Sequence, residues 1–425
     1  MAFETISTIG MGYIGLPTAA AFAAAGKKVI GVDINQAAVD TINQGKIHIV
    51  EPDLDDVVKT AVATGHLRAT TVPETADAFL IAVPTPFKGD HEPDVSYVEA
   101  AVRSIAPVLK HGDLVILEST SPVGTTEDVA QWLSEERPDL VPPPFNIQNP
   151  VLNINLAYCP ERVLPGKIMQ ELVNNDRVIG GITPRCSDRA IELYQTFVKG
   201  ECIPTTARTA EMCKLTENSF RDVNIAFANE LSIICDKLDI NVWELIKLAN
   251  RHPRVNILQP GPGVGGHCIA VDPWFIVNKT PKESPLIRTA REVNNYKTEW
   301  VIEKIKNLAM QFQLDNGRRP IIACFGLAFK PNIDDLRESP ALHIVQNLTQ
   351  KDLHIVAVEP NIDISTTHSS LSIYNKNFKL LSIEDANNLA DIFILLVAHK
   401  EFKIEDKNSL NLLDFCGTIK NKHQE

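Results

Sequence analysis

At 425 residues, with 44% apolar and 22% charged side chains, the chain is too long for one ordinary hydrophobic core and reads as a soluble globular protein of two or three domains. A formal net charge of −12 argues against nucleic acid or an anionic membrane as the main partner, and no run reaches the ~18 apolar residues of a membrane helix. Eight cysteines, none in a Cys-x-x-Cys pair, give neither a disulfide scaffold nor the spacing of a zinc site, so free thiols in a reducing cytoplasm and no bound metal are expected.

In chain order, a short apolar strand over residues 5–9 runs into Gly10-Met11-Gly12-Tyr13-Ile14-Gly15 and an alanine-rich helix over 18–25. This is the GxGxxG fingerprint in its required setting: a tight turn at Gly10, close approach of a pyrophosphate at Gly12, close helix contact at Gly15, and free N–H groups at a helix N-terminus. A second strand, 28–32, ends at Asp33, where a carboxylate would bind the adenosine ribose hydroxyls and repel a 2′-phosphate, which favours NAD over NADP. Further strands at 79–83 and 114–117 end in Pro84-Thr85-Pro86 and Glu118-Ser119-Thr120-Ser121-Pro122. Ligands of an open parallel sheet collect beyond the carboxyl ends of its strands, so Thr85, Glu118 and Thr120 are cofactor-side candidates, with loop capping as the competing reading. Glu161 and Arg162 follow another short strand, where a surface ion pair is the plain alternative.

From 209 to 237 the sequence predicts one long helix on which Lys214, Asn218 and Arg221 share a face, while Leu215, Phe220, Ile225 and Phe227 around them predict burial on several sides. A helix at 242–249 precedes Arg251-His252-Pro253-Arg254, then Gly261-Pro262-Gly263-Val264-Gly265-Gly266-His267-Cys268. Glycines before a cysteine let main chain press against a ligand where the sulfur emerges, although a lone cysteine is more often core. Asp272-Pro273 reads as a helix start. A polar stretch at 313–320 reads as a linker, after which strands at 321–327, 353–358 and 391–397 and a helix at 341–348 predict a second doubly wound domain. Between its first strand and helix, Lys330 and Arg337 face either a phosphate or their neighbours Asp334, Asp335 and Glu338.

These motifs together resemble the UDP-glucose and GDP-mannose 6-dehydrogenase family over nearly the whole chain. The matching pieces are GMGYIGLPTA at 10–19, ESTSPVGTT at 118–126, CPER at 159–162, the helix at 211–231, GPGVGGHC at 261–268 and FGLAFKPNIDDLRESPA at 325–341. The resemblance implies an α/β fold of two Rossmann-like doubly wound domains joined by a central helical domain with one long helix. Its expected boundaries are 1–205 for NAD binding, 206–312 for the helical centre with a homodimer contact, and 313–425 for the UDP-sugar domain. It implies oxidation of a sugar C6 alcohol to a carboxylate with two NAD, through a thiohemiacetal and thioester on Cys268. Lys214, Asn218, Asp272, Glu161 and Thr120 are then the other catalytic residues. The cofactor residues implied are Gly10, Gly12, Tyr13, Ile14, Gly15, Asp33, Thr85, Glu118, Thr126 and Arg337. The substrate residues are Arg162, Val163, Lys214, Asn218, Arg221, His252, Arg254, Gly265, Lys330 and Pro331.

UDP-glucose members usually carry a lysine between the cysteine and the aspartate, where this chain has Ile269-Ala270-Val271. With Arg251 to Asn256, that run is similar to the UDP-N-acetylhexosamine branch, which implies UDP-N-acetyl-D-mannosamine as substrate and a place in surface polysaccharide synthesis, such as enterobacterial common antigen. UDP-N-acetylglucosamine and UDP-glucose oxidation, a two-electron hydroxyacid dehydrogenase and a silent NAD-binding scaffold are the competing readings.

Overall fold

The computed structural model describes residues 3–49, 51–89, 91–164, 166–351, 353–362, 378–402 and 411–418. These divide into two compact units, Met1–Glu217 with Trp274–Lys279, and Asn218–Pro273 with Thr280–Glu425.

In the first unit the elements run β1 (Thr5–Ile9), α1 (Gly15–Ala24), β2 (Lys28–Val32), α2 (Gln36–Asn43), α3 (Leu54–Ala63), β3 (Leu67–Thr70) and β4 (Ala78–Ile81), of which the sequence reading expects β1, α1, β2 and β4. A short hairpin, β5 (Phe87–Lys88) and β6 (Glu92–Pro93), leads to α4 (Ser96–Ile105), β7 (Leu114–Leu117), α5 (Thr125–Glu136), β8 (Asn155–Tyr158), α6 (Ile168–Asn174), β9 (Arg177–Gly181), α7 (Pro184–Tyr194) and β10 (Cys202–Thr206). The eight-stranded sheet has the order β10-β9-β8-β7-β4-β1-β2-β3, parallel except where β8 meets β9. Successive residues enter opposite cores: Leu80, Leu114 and Ile116 pack on one face, and Phe79, Ile81 and Val115 on the other. Burial on both faces is why these strands are continuously apolar. Strand order reverses between β1 and β4, the switch point where ligands of such sheets bind.

The helix α8 (Ala207–Lys237) has 31 residues and continues from the first unit into the second. Next come α9 (Val242–Ala249), α10 (Asp272–Lys279) and α11 (Pro285–Asn316), a second long helix of 32 residues that extends four residues into the stretch read as a linker. Within the second unit, α8 and α11 are joined by buried polar side chains. Arg291 Nη1 donates to Asp222 Oδ1 at 2.6 Å, Asn294 Nδ2 donates to the same oxygen at 2.8 Å, and Asn229 Nδ2 donates to Asn294 Oδ1 at 2.8 Å. The Gly261 N–H donates to Asn229 Oδ1 at 2.9 Å, and Thr298 Oγ1 donates to the Pro262 carbonyl at 2.9 Å, so this seam also holds the start of the glycine loop. Lys297 donates to Ser232 and lies 3.8 Å from the Trp300 ring centroid, and burial pushes its amine down to about 7.

The second sheet, in the order β13-β12-β11-β14-β15, is built from β11 (Ile321–Phe325), β12 (His354–Val358), β13 (Lys379–Leu380), β14 (Ile392–Leu395) and β15 (Leu412–Asp414), all parallel. The helix α12 (Pro340–Gln350) and the short α13 (Ile383–Leu389) complete it, and Cys324 and Phe325 again face opposite cores. The fold is therefore two Rossmann-like α/β sheets, with a helical region separating them in the sequence. The expected burial of Phe220 and Phe227 is corrected, since they are 68% and 51% exposed. Among the described residues, no helix is long and apolar enough to cross a membrane.

Candidate active site

The glycine turn after β1 fits a dinucleotide. A Cβ on Gly15 would lie 1.8 Å from the Gly10 carbonyl oxygen, so only glycine lets α1 start against this turn, whereas a Cβ on Gly12 would meet nothing within 4 Å. Main chain at Gly12 therefore faces open space at the N-terminus of α1, with Tyr13 exposed and Ile14 half-buried beside it. Asp33 follows β2, stays half-buried, and accepts from the Met11 and Asn35 N–H groups at 2.9 Å each. It is thus tied to the turn that it is expected to serve.

At the ends of β4 and β7, Thr85 Oγ1 donates to the Thr120 carbonyl at 2.6 Å, bringing two of the expected cofactor and catalytic residues together. Two neighbours are used otherwise. Thr126 is 1% exposed and its hydroxyl donates to Glu211 Oε1 at 2.6 Å. Glu211 also accepts from the Gly124 and Thr126 N–H groups, so its carboxylate occupies the N-terminus of α5 where a ligand oxygen would otherwise sit. Glu118, 3% exposed, turns into the core and accepts from the Tyr194 hydroxyl at 2.5 Å. Both side chains thus have partners within the protein, Thr126 on Glu211 and Glu118 on Tyr194.

Glu118 belongs to a buried cluster beyond the ends of β7 and β8. Arg177, 3% exposed, donates to Glu161 Oε2 at 2.9 Å and lies 4.6 Å from the Tyr194 ring centroid. Its Nη1 is 3.7 Å from Cys159 Sγ. Burial pushes the Glu118 carboxyl up to about 7 against the pull of Arg177, and pushes the Cys159 thiol up to about 12. Glu161 Oε1 accepts from the Arg162 N–H at 2.8 Å, and the Glu161 carbonyl accepts from Lys214 Nζ at 2.8 Å. The acid expected to handle water thus has both carboxylate oxygens engaged, and its main chain anchors the expected catalytic amine. Arg162 pairs with Glu217 at 2.7 Å beside half-buried Val163.

In the second unit, Asn218 Nδ2 donates to Asp272 Oδ2 at 2.5 Å, with the two residues 8% and 3% exposed. The Cys268 carbonyl accepts from the Asp272 N–H at 2.8 Å, which puts the half-buried cysteine one turn before α10 on the loop that Asp272 terminates. Cys268, Asp272 and Asn218 form one group. Lys214 and Asn218 are four residues apart on unbroken α8 and share a face of it, while Arg221 is exposed one turn on. The glycine loop is also stitched to the segment between β11 and α12. The Gly266 N–H donates to the Arg337 carbonyl at 3.2 Å, and a Cβ on Gly265 would lie 2.4 Å from the Glu338 carbonyl oxygen. This brings the cysteine loop beside exposed Lys330 and Pro331. The Arg337 guanidinium pairs with Asp335 at 2.6 Å, the local alternative weighed from the sequence. His252 and Arg254 are exposed within one turn, where the Arg254 N–H donates to His252 Nδ1 at 3.3 Å. The sequence reading missed Arg177 and Tyr194, whose partners Glu161 and Glu118 lie 16 and 76 residues away, and saw Glu211 only as part of the long helix, not as the partner of Thr126, 85 residues away. All eight cysteines are free thiols.

Three domains of one family match the chain: the NAD binding domain of the UDP-glucose/GDP-mannose dehydrogenase family over residues 4–198, its central domain over 208–296 and its UDP binding domain over 323–414. The chain is 64% identical over 408 residues to UDP-N-acetyl-D-mannosamine dehydrogenase of Escherichia coli K12, covering 95% of this chain and 96% of that one. It is 62% identical over 409 residues to NDP-N-acetyl-D-galactosaminuronic acid dehydrogenase of Ralstonia nicotianae, covering 96% and 94%. A solved UDP-D-ManNAc dehydrogenase from Pyrococcus horikoshii superposes with a TM-score of 0.83 at 38% identity, over 98% of this chain and 96% of that one. With a glycine turn that fits NAD and all three domains matched in order, the chain belongs to the UDP-glucose/GDP-mannose dehydrogenase family and is an NAD-dependent oxidoreductase of nucleotide sugars.

Proposed function

We propose that this protein oxidises C6 of UDP-N-acetyl-D-mannosamine to the carboxylate in two two-electron stages, with Cys268 as covalent nucleophile. The observation that carries the reading is the buried Asn218–Asp272 pair, one turn from Cys268 on its loop and one helical turn from Lys214 on α8. The substrate rests on the 64% identical relative of that name and on the run between Cys268 and Asp272. NAD, bound at the glycine turn after β1 with Gly10, Gly12, Gly15 and Asp33, supplies the hydride acceptor for each stage.

Lys214, held by the Glu161 carbonyl, takes the proton from the C6 hydroxyl as the alcohol becomes an aldehyde. Cys268 Sγ, as thiolate, adds to the aldehyde carbon and forms a C–S bond. The resulting thiohemiacetal oxygen is stabilised by Asn218 Nδ2 and the Lys214 ammonium, each donor worth about 3 kcal/mol in related oxyanion sites. After the second oxidation the carbon is a thioester. Water attacks it, Asp272 accepts the water's proton, and cleavage of the C–S bond returns the thiolate. Asp272 suits this step better than Glu161, whose carboxylate is neutralised by Arg177. Thr120 orients the water, and Arg162, Arg221, His252, Arg254, Lys330 and Pro331 hold the nucleotide sugar.

The purified protein should release two NADH per molecule of UDP-N-acetyl-D-mannosamine and oxidise the N-acetylglucosamine, N-acetylgalactosamine and glucose nucleotides far more slowly. One NADH per sugar would remove the four-electron reading, and preference for another sugar would remove the substrate. The product would serve surface polysaccharide synthesis, such as enterobacterial common antigen, and the enzyme would work in the cytoplasm beside the NAD pool.

The protein is further proposed to act as a homodimer. Phe220, Phe227 and Ile234 recur every seven residues on α8 and are 68%, 51% and 45% exposed, with Leu238 at 61% one turn on. An apolar stripe repeating at that interval favours another helix over water. Sedimentation should report a dimer for the native chain and a monomer for Phe220→Glu with Phe227→Glu. A native monomer would overturn this.

A further inference from the structure

The C-terminal sheet repeats the acid that follows β2 in the N-terminal sheet, but closes it. Asp33 after β2 is half-buried. Glu359 holds the equivalent place after β12, and its Oε2 accepts from the Leu327 and Ala328 N–H groups at 2.8 and 3.0 Å, as Asp33 accepts from Met11. Its Oε1 accepts from the Asn361 N–H at 3.1 Å. His399, just beyond β14, covers the remaining side with Nε2 at 3.1 Å from Glu359 Oε2, and both side chains are wholly buried.

This arrangement fixes the histidine tautomer. Nδ1 lies 3.0 Å from the Asn332 main-chain nitrogen, which can only donate, so Nδ1 is an acceptor and the proton sits on Nε2, aimed at Glu359. The same Nδ1 is 2.9 Å from Asn361 Nδ2. Asn332 is left-handed, with φ 61°, and its Oδ1 accepts from the Lys400 N–H at 3.0 Å. The turn Lys330-Pro331-Asn332 is therefore held by a buried imidazole from below and by main chain at its side, while Phe329, one residue earlier, lies against Gly266 of the cysteine loop.

We propose that His399, held in one tautomer by Glu359, is a positioning residue that sets the Lys330-Pro331-Asn332 turn to receive the diphosphate of the nucleotide sugar. This rests on the reading above, in which Lys330 is among the residues that hold the nucleotide sugar, and assigns its ammonium to the diphosphate. The acid position that serves a ribose in one sheet serves, in the other, to lock the histidine that holds a phosphate turn.

The test uses the full-length enzyme, UDP-N-acetyl-D-mannosamine and NAD, with two amide variants that differ in where the carbonyl oxygen falls. His399→Asn puts an acceptor near the Nδ1 position, and His399→Gln puts it near Nε2. His399→Gln should raise KM for the sugar nucleotide about tenfold, as expected for loss of one buried hydrogen bond, with kcat and KM for NAD within about twofold. His399→Asn should restore KM to within about threefold of the native value. Equal KM values for the two variants, or a fall in kcat without a change in KM, would overturn the proposal. Lys330→Ala separates the two levels of inference. A raised KM there with native KM in His399→Gln leaves the phosphate reading and removes His399, whereas an unchanged KM in Lys330→Ala removes both.

Discussion

Cys268→Ala should lose at least about a thousandfold in NADH formation from the sugar nucleotide while binding NAD and substrate within about twofold of the native protein. The effect is large because the thiol has no substitute in its group. Asp272 and Asn218 are bonded to each other, and neither can form an acyl intermediate that holds the carbon between two oxidations. Uniform binding is untouched because the Gly261–Gly266 backbone, pinned by Asn229, Thr298 and Arg337, does not depend on the sulfur. Progress curves and equilibrium titration of each ligand check both halves. Two NADH per sugar from the alanine variant at near-native rate would exclude a covalent route.

The second large effect concerns the buried cluster in the N-terminal unit. Arg177→Met strands the Glu161 carboxylate, 7% exposed in the native pair, without its cation. Leaving one partner of a buried pair costs about 3–5 kcal/mol. At roughly 2–4 °C per kcal/mol for a unit of this size, the melting temperature should fall by about 10 °C. Turnover should fall with it, since the Glu161 main chain carries Lys214.

Glu118 in the same cluster should show the opposite behaviour with a defined pH dependence. Its carboxyl rises from an ordinary 4.5 to about 7 on folding, because burial disfavours the charge. A raised acid stabilises the fold at and below its unfolded value, and that contribution is lost as pH climbs through about 7. Above neutrality the cost reaches roughly 3 kcal/mol. Glu118→Gln keeps an acceptor for the Tyr194 hydroxyl without the charge, so it should melt with the native protein at pH 4.5 and several degrees higher at pH 8. A difference in melting temperature that does not vary with pH would show that Glu118 is not the titrating group.

Where the sequence is legible, one physical signal acts locally. The GxGxxG turn, Asp33 and the apolar strands are read within a few residues of themselves, because hydrophobic periodicity and glycine sterics are local rules. Cys268 with Asp272, and Lys214 with Asn218, are legible for the same reason, being separated by one helical turn. What the sequence leaves illegible depends on partners remote along the chain. Nothing local to Glu118 and Thr126 marks Tyr194 and Glu211, 76 and 85 residues away, as their hydrogen-bond partners. The helix α11 was missed because its buried face is polar at first: Arg291, Asn294, Lys297 and Thr298 occupy positions that apolar residues would mark. Phe220 and Phe227 were misread because a stripe awaiting another chain and a stripe facing a core have the same spacing. Glu359 could have been found, since Val356-Ala357-Val358-Glu359 repeats the pattern of Ile30-Gly31-Val32-Asp33.

The polar seam between α8 and α11 fixes the alignment of those helices in a way that an oily one would not. Leucines tolerate a slide of one turn with modest loss, whereas sliding α11 past α8 by that distance would carry Arg291 away from Asp222 and leave both charges entombed, at a cost of several kcal/mol. The buried pair therefore favours the alignment that keeps Arg291 on Asp222. The run of glycines that ends at Cys268 hangs from Asn229 and Thr298 in that seam, so its height along the helices follows the alignment that the Arg291–Asp222 pair favours.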